Sequence, residues 1–235
     1  MTVQAKYIYL ARRHPLLDLS GFTERWRRHG ALGMSMPRWA NVRRYVQCDI
    51  LAEAAPIPGI CNGYDGVGMI WYHSLTARTS HTTDHASQAA MEADEAETFD
   101  EPVVNFGVLC AEEVARDLPG SGLKLIRFII RPKPVSVSEF DAAWDQHTKA
   151  VLKFAEATGG LGRYVYNRTL PAERPEGWGL GVHGVEELWF NDMDALKRWH
   201  SAIHAALDSA ASEAPWAGTI SVVTKEAVLY DKPSA

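Results

Sequence analysis

The chain has 235 residues, of which 46% are hydrophobic and 23% charged, a composition typical of globular proteins with a substantial buried core. The formal net charge of −5 comes from 24 basic and 29 acidic residues mixed along the chain, without the basic stripe typical of nucleic-acid-binding proteins. The sequence shows no secretory-signal pattern, no apolar run of the roughly 20 residues that a membrane span needs, and no CxxC pair among its three cysteines. We therefore expect a cytoplasmic protein that binds neither nucleic acid nor a membrane.

The first half of the chain contains six predicted elements. Apolar, β-branched runs predict strands, and stretches of helical periodicity predict helices. In chain order they are a strand at 6–11, a helix at 20–32 capped by Ser20, strands at 42–48 and 67–72, a helix at 86–98 and a strand at 103–111.

The second half repeats this order after a linker, which we place at 116–122 because proline and glycine cluster there. The predicted elements are a strand at 124–130, a helix at 138–158, strands at 163–167 and 185–190, a helix at 193–211 and a strand at 219–228. We therefore expect two modules, at 1–115 and 123–235.

An internal repeat supports this division. Aromatic residues, arginines and histidines recur in the same order at a nearly constant offset, which is hard to obtain by chance. The matching segments are Phe22-x-x-x-Trp26-x-x-His29 with Phe140-x-x-x-Trp144-x-x-His147, Arg44-Tyr45-Val46 with Arg163-Tyr164-Val165, and Gly66-Val67 with Gly184-Val185.

The order strand, helix, strand, strand, helix, strand is typical of a ferredoxin-like βαββαβ module, in which both helices cover one face of an antiparallel sheet. The other face of a single module would be bare, but two modules can cover each other. The predicted fold class is α+β, with two tandem ferredoxin-like modules that form an intrachain dimeric α+β barrel.

Three motifs of the first half, Arg13…Phe22-x-x-x-Trp26-x-x-His29, Tyr64-Asp65-Gly66-Val67 and Asp94-Glu95-x-x-x-Phe99, resemble the EthD family. The resemblance spans roughly 5–113 and, more loosely, 124–228, where His183 replaces Asp65 and the Asp-Glu pair is missing. It implies a dimeric α+β barrel and reactions that need no metal or nucleotide: isomerisation, cyclisation, decarboxylation, dehydration or oxygenation of aromatic or polyketide-like compounds. It does not choose among them.

His29 and His147 are the first candidates for catalysis. In each half the phenylalanine, tryptophan and histidine of the motif lie at i, i+4 and i+7, so they share one face of a helix and the histidine points inward. A neutral imidazole among apolar groups can act as a base near neutral pH. The alternative is a core histidine whose hydrogen bonds are satisfied.

Period-two alternation in the third strand of each half places Asp65 and Trp71 on one face, and His183, Glu187 and Trp189 on the matching face. Ionisable groups beside tryptophans need partners, so Asp65 and His183 are candidate acids or bases. Glu187, Trp71 and Trp189 are candidates for substrate binding. The alternatives are that the aspartate caps a turn and that His183 and Glu187 lie at a solvated strand end.

Tyr45 is a candidate for catalysis because a phenol can donate a hydrogen bond to an oxyanion. Arg44 is a candidate for substrate binding because a guanidinium can hold a carboxylate or phenolate. Tyr164 is the counterpart in the second half, and we add Trp26 and Trp144 as substrate-binding candidates because they would suit an aromatic ligand. Core packing with a polar tip is the alternative.

Two pairs have the i, i+4 spacing of zinc ligands, His81 with His85 and His200 with His204. Neither has a third ligand nearby, and the first pair lies in a polar run, 79–88, that we expect to be a loop. We predict no metal and no other cofactor.

These features predict a cofactor-independent lyase, in which histidine removes a proton from a hydrophobic phenolic compound that then loses carbon dioxide, formaldehyde or water. The alternatives are an isomerase or cyclase, a cofactor-free monooxygenase, and an accessory protein that binds aromatic ligands. A homodimer is a further expectation.

Overall fold

The computed structural model of the chain describes residues 5–119, 122–132, 134–170, 182–209 and 218–232, with the backbone alone for 203–209 and 218. The strands are β1 (Ala5–Ala11), β2 (Val42–Ile50), β3 (Gly66–Tyr72), β4 (Gly107–Asp117), β5 (Leu123–Ile130), β6 (Leu161–Thr169), β7 (Val182–Phe190) and β8 (Gly218–Asp231). The α-helices are α1 (Leu19–Met34), α2 (Leu75–Thr82), α3 (His85–Thr98), α4 (Val137–Thr158) and α5 (Met193–Ser209). Within the described part of the chain, no helix is both long and apolar enough to cross a membrane.

The strands form one closed antiparallel barrel in the order β1-β3-β2-β8-β5-β7-β6-β4. The first four strands lie side by side as β4-β1-β3-β2, and the last four repeat this arrangement as β8-β5-β7-β6. Pairing of β2 with β8 and of β4 with β6 joins the two halves. The α+β fold class is therefore confirmed.

Three local predictions were wrong. The side chain of Asp18 caps α1 by accepting from the Gly21 amide at 2.7 Å, so the predicted cap, Ser20, lies inside the first turn. The run 79–88 is not a loop, because Ser74 caps an additional helix, α2, ahead of α3. Strand β4 extends into the predicted linker as far as Asp117 because its end pairs with β6.

The barrel interior and its outer surface have separate cores. Alternate residues of every strand point inward, where Ile8, Val67 and Phe128 belong to one apolar cluster. The opposite residues point outward to the helices, so that Tyr9 packs against Trp26 of α1. A side chain on a strand can thus reach either the interior or the helix layer, but not both.

Glycines at equivalent positions let each motif tryptophan lie flat on the sheet. A Cβ built on Gly66 would lie 2.4 Å from Cζ3 of Trp26, and one on Gly184 would lie 2.4 Å from Cη2 of Trp144. Both tryptophans are fully buried. No side chain fits between strand and indole without displacing the ring.

We predict that Gly66→Ala lowers the free energy of unfolding by about 1–3 kcal/mol, because Trp26 must move within a packed core. Urea unfolding followed by circular dichroism would measure this. Gly122→Ala is the control, since a Cβ there meets nothing within 4 Å. Equal midpoints for the two variants would show that Trp26 can move aside without cost.

Candidate active site

A cavity of about 650 Å³ lies between the outer surface of strands β1, β2 and β3 and the helices α1, α2 and α3. It is therefore outside the barrel, in the helix layer of the first half. Its aromatic lining residues are Tyr7, Tyr9, Trp39, Tyr45 and Tyr72, and its other ionisable ones are His29, Arg38, Arg78, His81, Glu92 and Glu95. An apolar, concave site with few polar groups is the usual form of a small-molecule pocket.

His29 of α1 reaches this cavity and is held by Asp94 of α3. The imidazole Nδ1 lies 2.7 Å from Asp94 Oδ2, and Arg25 Nη2 lies 2.6 Å from the other carboxylate oxygen. Burial lowers the pKa of His29, although Asp94 acts in the opposite direction. The ring is therefore neutral near pH 7, and with Nδ1 occupied, Nε2 is the nitrogen left to accept a proton from a ligand.

Two tyrosines form a hydrogen-bonded pair beside the histidine. The hydroxyls of Tyr9 and Tyr45 are 3.1 Å apart; Trp26 Nε1 donates to the first at 3.0 Å and Gln47 Nε2 to the second at 2.6 Å. Burial raises the pKa of both phenols, so both stay protonated. Only one of the two phenolic protons can lie between the hydroxyls, so the second proton is available for a hydrogen bond to an oxyanion in the cavity.

Two further ionisable groups of the cavity, Glu95 and His81, have shifted pKa values. Burial raises the pKa of Glu95, whose carboxyl accepts from the Val103 amide at 3.4 Å. Burial, assisted by Arg38, lowers the pKa of His81 to about 4, and its Nδ1 lies 3.0 Å from the carbonyl oxygen of that arginine. The carboxyl is thus biased towards its acid form, and the second imidazole is neutral.

Residues 14–102 match the family model of the EthD domain. The first half of the chain carries an EthD domain. The match includes His29, Tyr45, Asp94 and Glu95, whereas Tyr9 lies just ahead of it. The EthD domain thus supplies most of the cavity described above.

Solved structures with a similar fold cover nearly the whole chain. A proposed monooxygenase from Fusobacterium nucleatum has a TM-score of 0.60 and 11% identity over 99% of both chains. An anthrone oxidase-like protein has a TM-score of 0.57 and 12% identity, covering 100% of this chain and 97% of its own. A mutant chlorite dismutase from Candidatus Nitrospira defluvii has a TM-score of 0.55 and 8% identity, over 96% and 92%. The search of curated proteins gave no match. Identities this low establish a common fold and nothing about activity.

The second half places a carboxylate opposite its motif histidine. His147 Nε2 lies 2.7 Å from Glu186 Oε1, which also accepts from Tyr164 at 2.7 Å, and Arg127 contacts the other oxygen at 2.6 Å. Burial alone would raise the pKa of Glu186, but the imidazole and the guanidinium outweigh it and lower it to about 2. In the repeat this residue corresponds to Gly68 of the EthD domain. The carboxylate of Glu186 therefore meets His147, whereas in the first half the ring of Tyr9, which lines the cavity, covers Gly68.

Four sequence-predicted residues lie in the barrel interior instead. Trp71, Trp189 and Glu187 point inward, and Arg44 stacks on the first of these with its guanidinium 5.3 Å from the ring. Lys124 lies 2.5 Å from the carboxylate of Glu187. The sheet separates these residues from the cavity, so the prediction that they contact the substrate receives no support from their placement.

Two other candidates lie at strand ends. Asp65 accepts from the backbone amide of Arg13 at 2.9 Å and forms an ion pair with its guanidinium. His183 accepts from the amide of Arg131 at 3.4 Å and packs edge-on against Phe140. Both fit the turn and strand-end alternative, and neither lines the cavity. Trp144 of α4 and Tyr164 of β6 lie between helix and sheet in the second half, and Trp26 donates to Tyr9 of the tyrosine pair.

The sequence analysis missed four residues of the site: three that line the cavity and one, Asp94, that holds His29. Asp94 and Glu95 stood in the motif that resembles EthD, but nothing in their spacing assigned them a partner. Tyr9 could have been found, because it alternates with the inward Ile8 on β1. Arg38 lies in a 3-10 helix, Pro37–Asn41, whose shortness leaves no periodic signal.

Neither histidine pair forms a metal site in the described ranges. His81 is buried at the end of α2, whereas His85 is exposed at the start of α3. His200 Nε2 lies 2.8 Å from the carbonyl oxygen of Pro58, and the side chain of His204 lies outside the described residues. Among the residues whose side chains are described, no three His, Cys, Asp or Glu come together in a metal-binding group.

Proposed function

We propose that the cavity of the EthD domain is the active site of a lyase that acts on a hydrophobic phenolic compound without an added cofactor. The observation that carries the proposal is the buried His29–Asp94 pair, which presents a neutral base to an aromatic-lined cavity. Glu95, whose pKa is raised by burial, lines the same cavity and is the candidate acid. Base and acid in one site suit proton removal from one atom and proton delivery to another.

In the proposed reaction, His29 Nε2 removes the proton of the substrate phenol. The free phenolic proton of the Tyr9–Tyr45 pair donates to the resulting phenolate oxygen. If the leaving group is a benzylic hydroxyl, Glu95 protonates it as the C–O bond breaks, and water departs with the electron pair of that bond. If carbon dioxide leaves, the ring carbon takes a proton from Glu95, and the electrons of the broken C–C bond restore the aromatic ring. If formaldehyde leaves, the ring carbon is protonated in the same way, the hydroxymethyl O–H returns a proton to the Glu95 carboxylate, and the electrons of the broken C–C bond restore the ring.

A cofactor-free monooxygenase is the second candidate. It is favoured by the structural relatives that are named a proposed monooxygenase and an anthrone oxidase-like protein. The same histidine would generate the electron-rich anion, and dioxygen would be the oxidant. An isomerase or cyclase would use the same base, and a ligand-binding accessory protein would use the cavity without chemistry.

Product analysis separates these functions. Metal-free purified protein would be incubated with phenolic acids, hydroxymethyl-bearing lignin-type dimers and polyketide intermediates, with and without oxygen, and the products analysed by mass spectrometry and chromatography. We expect a mass decrease equal to carbon dioxide, formaldehyde or water in both atmospheres. Oxygen incorporation confined to the aerobic samples would contradict the lyase and support the monooxygenase. Rearranged products of unchanged mass would indicate an isomerase or cyclase.

We also infer that the chain is a tandem pair of ferredoxin-like modules that form an intrachain dimeric α+β barrel. The repeated strand order and the equivalent Gly66–Trp26 and Gly184–Trp144 contacts support this. Cytoplasmic location and a further homodimer remain proposals.

A further inference from the structure

Arg38 is a buried cation that has no acidic partner within the described part of the chain. The residue is 8% exposed and lines the cavity. Its Nη1 donates to Gln88 Oε1 at 2.8 Å. Among the described residues, its Nε has no hydrogen-bond partner and no carboxylate lies within 4.0 Å of the guanidinium. Burying a charge without a counterion is unfavourable, so this end of the cavity lacks an anion.

Other donors surround the same place. Trp39 Nε1 is buried without a hydrogen-bond partner among the described residues, and so is Nε of Arg78; both residues line the cavity. The hydroxyl of Tyr72 lies near both guanidinium groups, since they act against the burial that raises the pKa of this phenol to about 12. Arg38 donates to Gln88 and Arg78 to Thr82, and each guanidinium has further N–H donors. Together with the indole and the phenol they line one cavity, as in a site for a carboxylate.

The acidic residues of the cavity do not neutralise this cluster. Glu92 and Glu95 line the same cavity, and with Asp84 they act on Arg38 from a distance, but burial dominates and lowers the pKa of this arginine. Burial also raises the pKa of Glu95, which favours its uncharged form. His81 is neutral for the same reason.

The cationic end and the catalytic end belong to one cavity. Arg38 is close enough to His29 to contribute to lowering its pKa. Trp39 and Tyr45 line the same cavity, and their rings meet edge to face with centroids 5.4 Å apart. An aromatic ligand that fills this cavity would contact these rings and both ends.

We propose that the substrate is a phenol that carries a carboxylate, that Arg38 binds this carboxylate, and that the product retains it. The proposal rests on the lyase function above and narrows it. A guanidinium that stabilises the carboxylate opposes its conversion to neutral carbon dioxide, because it favours the ground state over the transition state. The bond that breaks therefore lies elsewhere on the ligand, and formaldehyde or water is the leaving group.

Binding of two matched probes tests this without turnover. Para-hydroxycinnamate and para-hydroxycinnamamide share ring, phenol and length, and differ in the charge at one end. By isothermal titration calorimetry at pH 7, we expect the native protein to bind the acid about tenfold or more tightly than the amide, as a hydrogen bond between charged groups implies. Arg38→Gln should remove this preference by weakening acid binding alone.

Arg12→Gln is the matched control. That guanidinium is exposed and stacks on Tyr64, outside the cavity, so its loss should leave the preference for the acid intact. Equal affinity of the native protein for acid and amide would overturn the proposal, even if Arg38→Gln does not fold. So would a preference that survives in folded Arg38→Gln. If the native protein prefers the acid but turns over no panel compound, the result supports the carboxylate site and contradicts the lyase function.

Discussion

Replacing His29 by alanine is expected to lower the turnover number of the active panel compound by about 10²–10⁴-fold, the usual contribution of a general base. The imidazole is a neutral base of the cavity, and the carboxylate of Asp94 holds it in place. Binding should change little, because the aromatic walls remain. Turnover and ligand affinity would be measured separately on the same preparation, and a variant with native turnover would contradict the assignment.

His147→Ala decides between the two halves. Glu186 occupies the position that faces His147, so this variant is expected to retain turnover per folded molecule, although its stability will fall as a buried carboxylate loses a partner. A large loss of turnover here, with native turnover in His29→Ala, would show that the second half carries the working base.

The pH profile supplies a further check of His29. Burial lowers the pKa of this group, so the base stays neutral, and activity persists, below its ordinary pKa of about 6.5. Activity should fall only as the pH drops through the lowered value. Because Asp94 raises the pKa of the imidazole, Asp94→Asn should move the acid limb of kcat/KM to still lower pH. A limb that does not move would assign the titration to another group.

Lys124→Met is expected to lower the free energy of unfolding by about 3–5 kcal/mol, the usual cost of leaving a buried carboxylate uncompensated. Lys124 and Lys6 are fully buried in the barrel, where they share the Glu187 carboxylate, and each also contacts a second glutamate, Glu226 or Glu112. Removing one lysine leaves three carboxylates with one cation. Urea unfolding at pH 7 would measure the loss.

Lys149→Met is the control, because Lys149 is exposed on α4 and its change should stay within about 0.5 kcal/mol. Adding Glu187→Gln to Lys124→Met should recover part of the loss, since the variant then buries one charge fewer. No recovery would mean that lost packing, and not charge, explains the effect.

Low pH should reduce the stability that this cluster of buried lysines and glutamates contributes. Burial alone would raise the pKa of Glu187, but the two lysines outweigh it and lower the value in the folded protein. The stabilisation from ionised Glu187 is therefore complete above the unfolded pKa of about 4.3 and declines as the pH falls below it towards the folded value.

The sequence predicted side-chain direction correctly where it relied on periodicity. A helical period places His29 on the buried face of α1, and a period of two separates Glu187 from Glu186 on opposite faces of β7. Such patterns define which way a side chain points because they follow from backbone geometry alone. These patterns do not define which residues the side chain contacts.

The rest depends on contacts between distant segments. Asp94 is 65 residues from its partner His29, and nothing local marks them as a pair. The location of the cavity under the helices, and not in the barrel, follows from how α2 and α3 cover the sheet. The contrast between Gly68 and Glu186 was visible in the repeat, but only the structure shows that this exchange puts a carboxylate against His147.

Joining both halves of the barrel in one polypeptide has an evolutionary consequence. In an assembly of identical subunits, each substitution appears at every equivalent position, so a mutation that fills one pocket fills them all. Here the exchange at Gly68 and Glu186 affects a single half. Selection can therefore refine the cavity of the EthD domain for its ligand while the other half diverges freely, provided that β2 still pairs with β8 and β4 with β6.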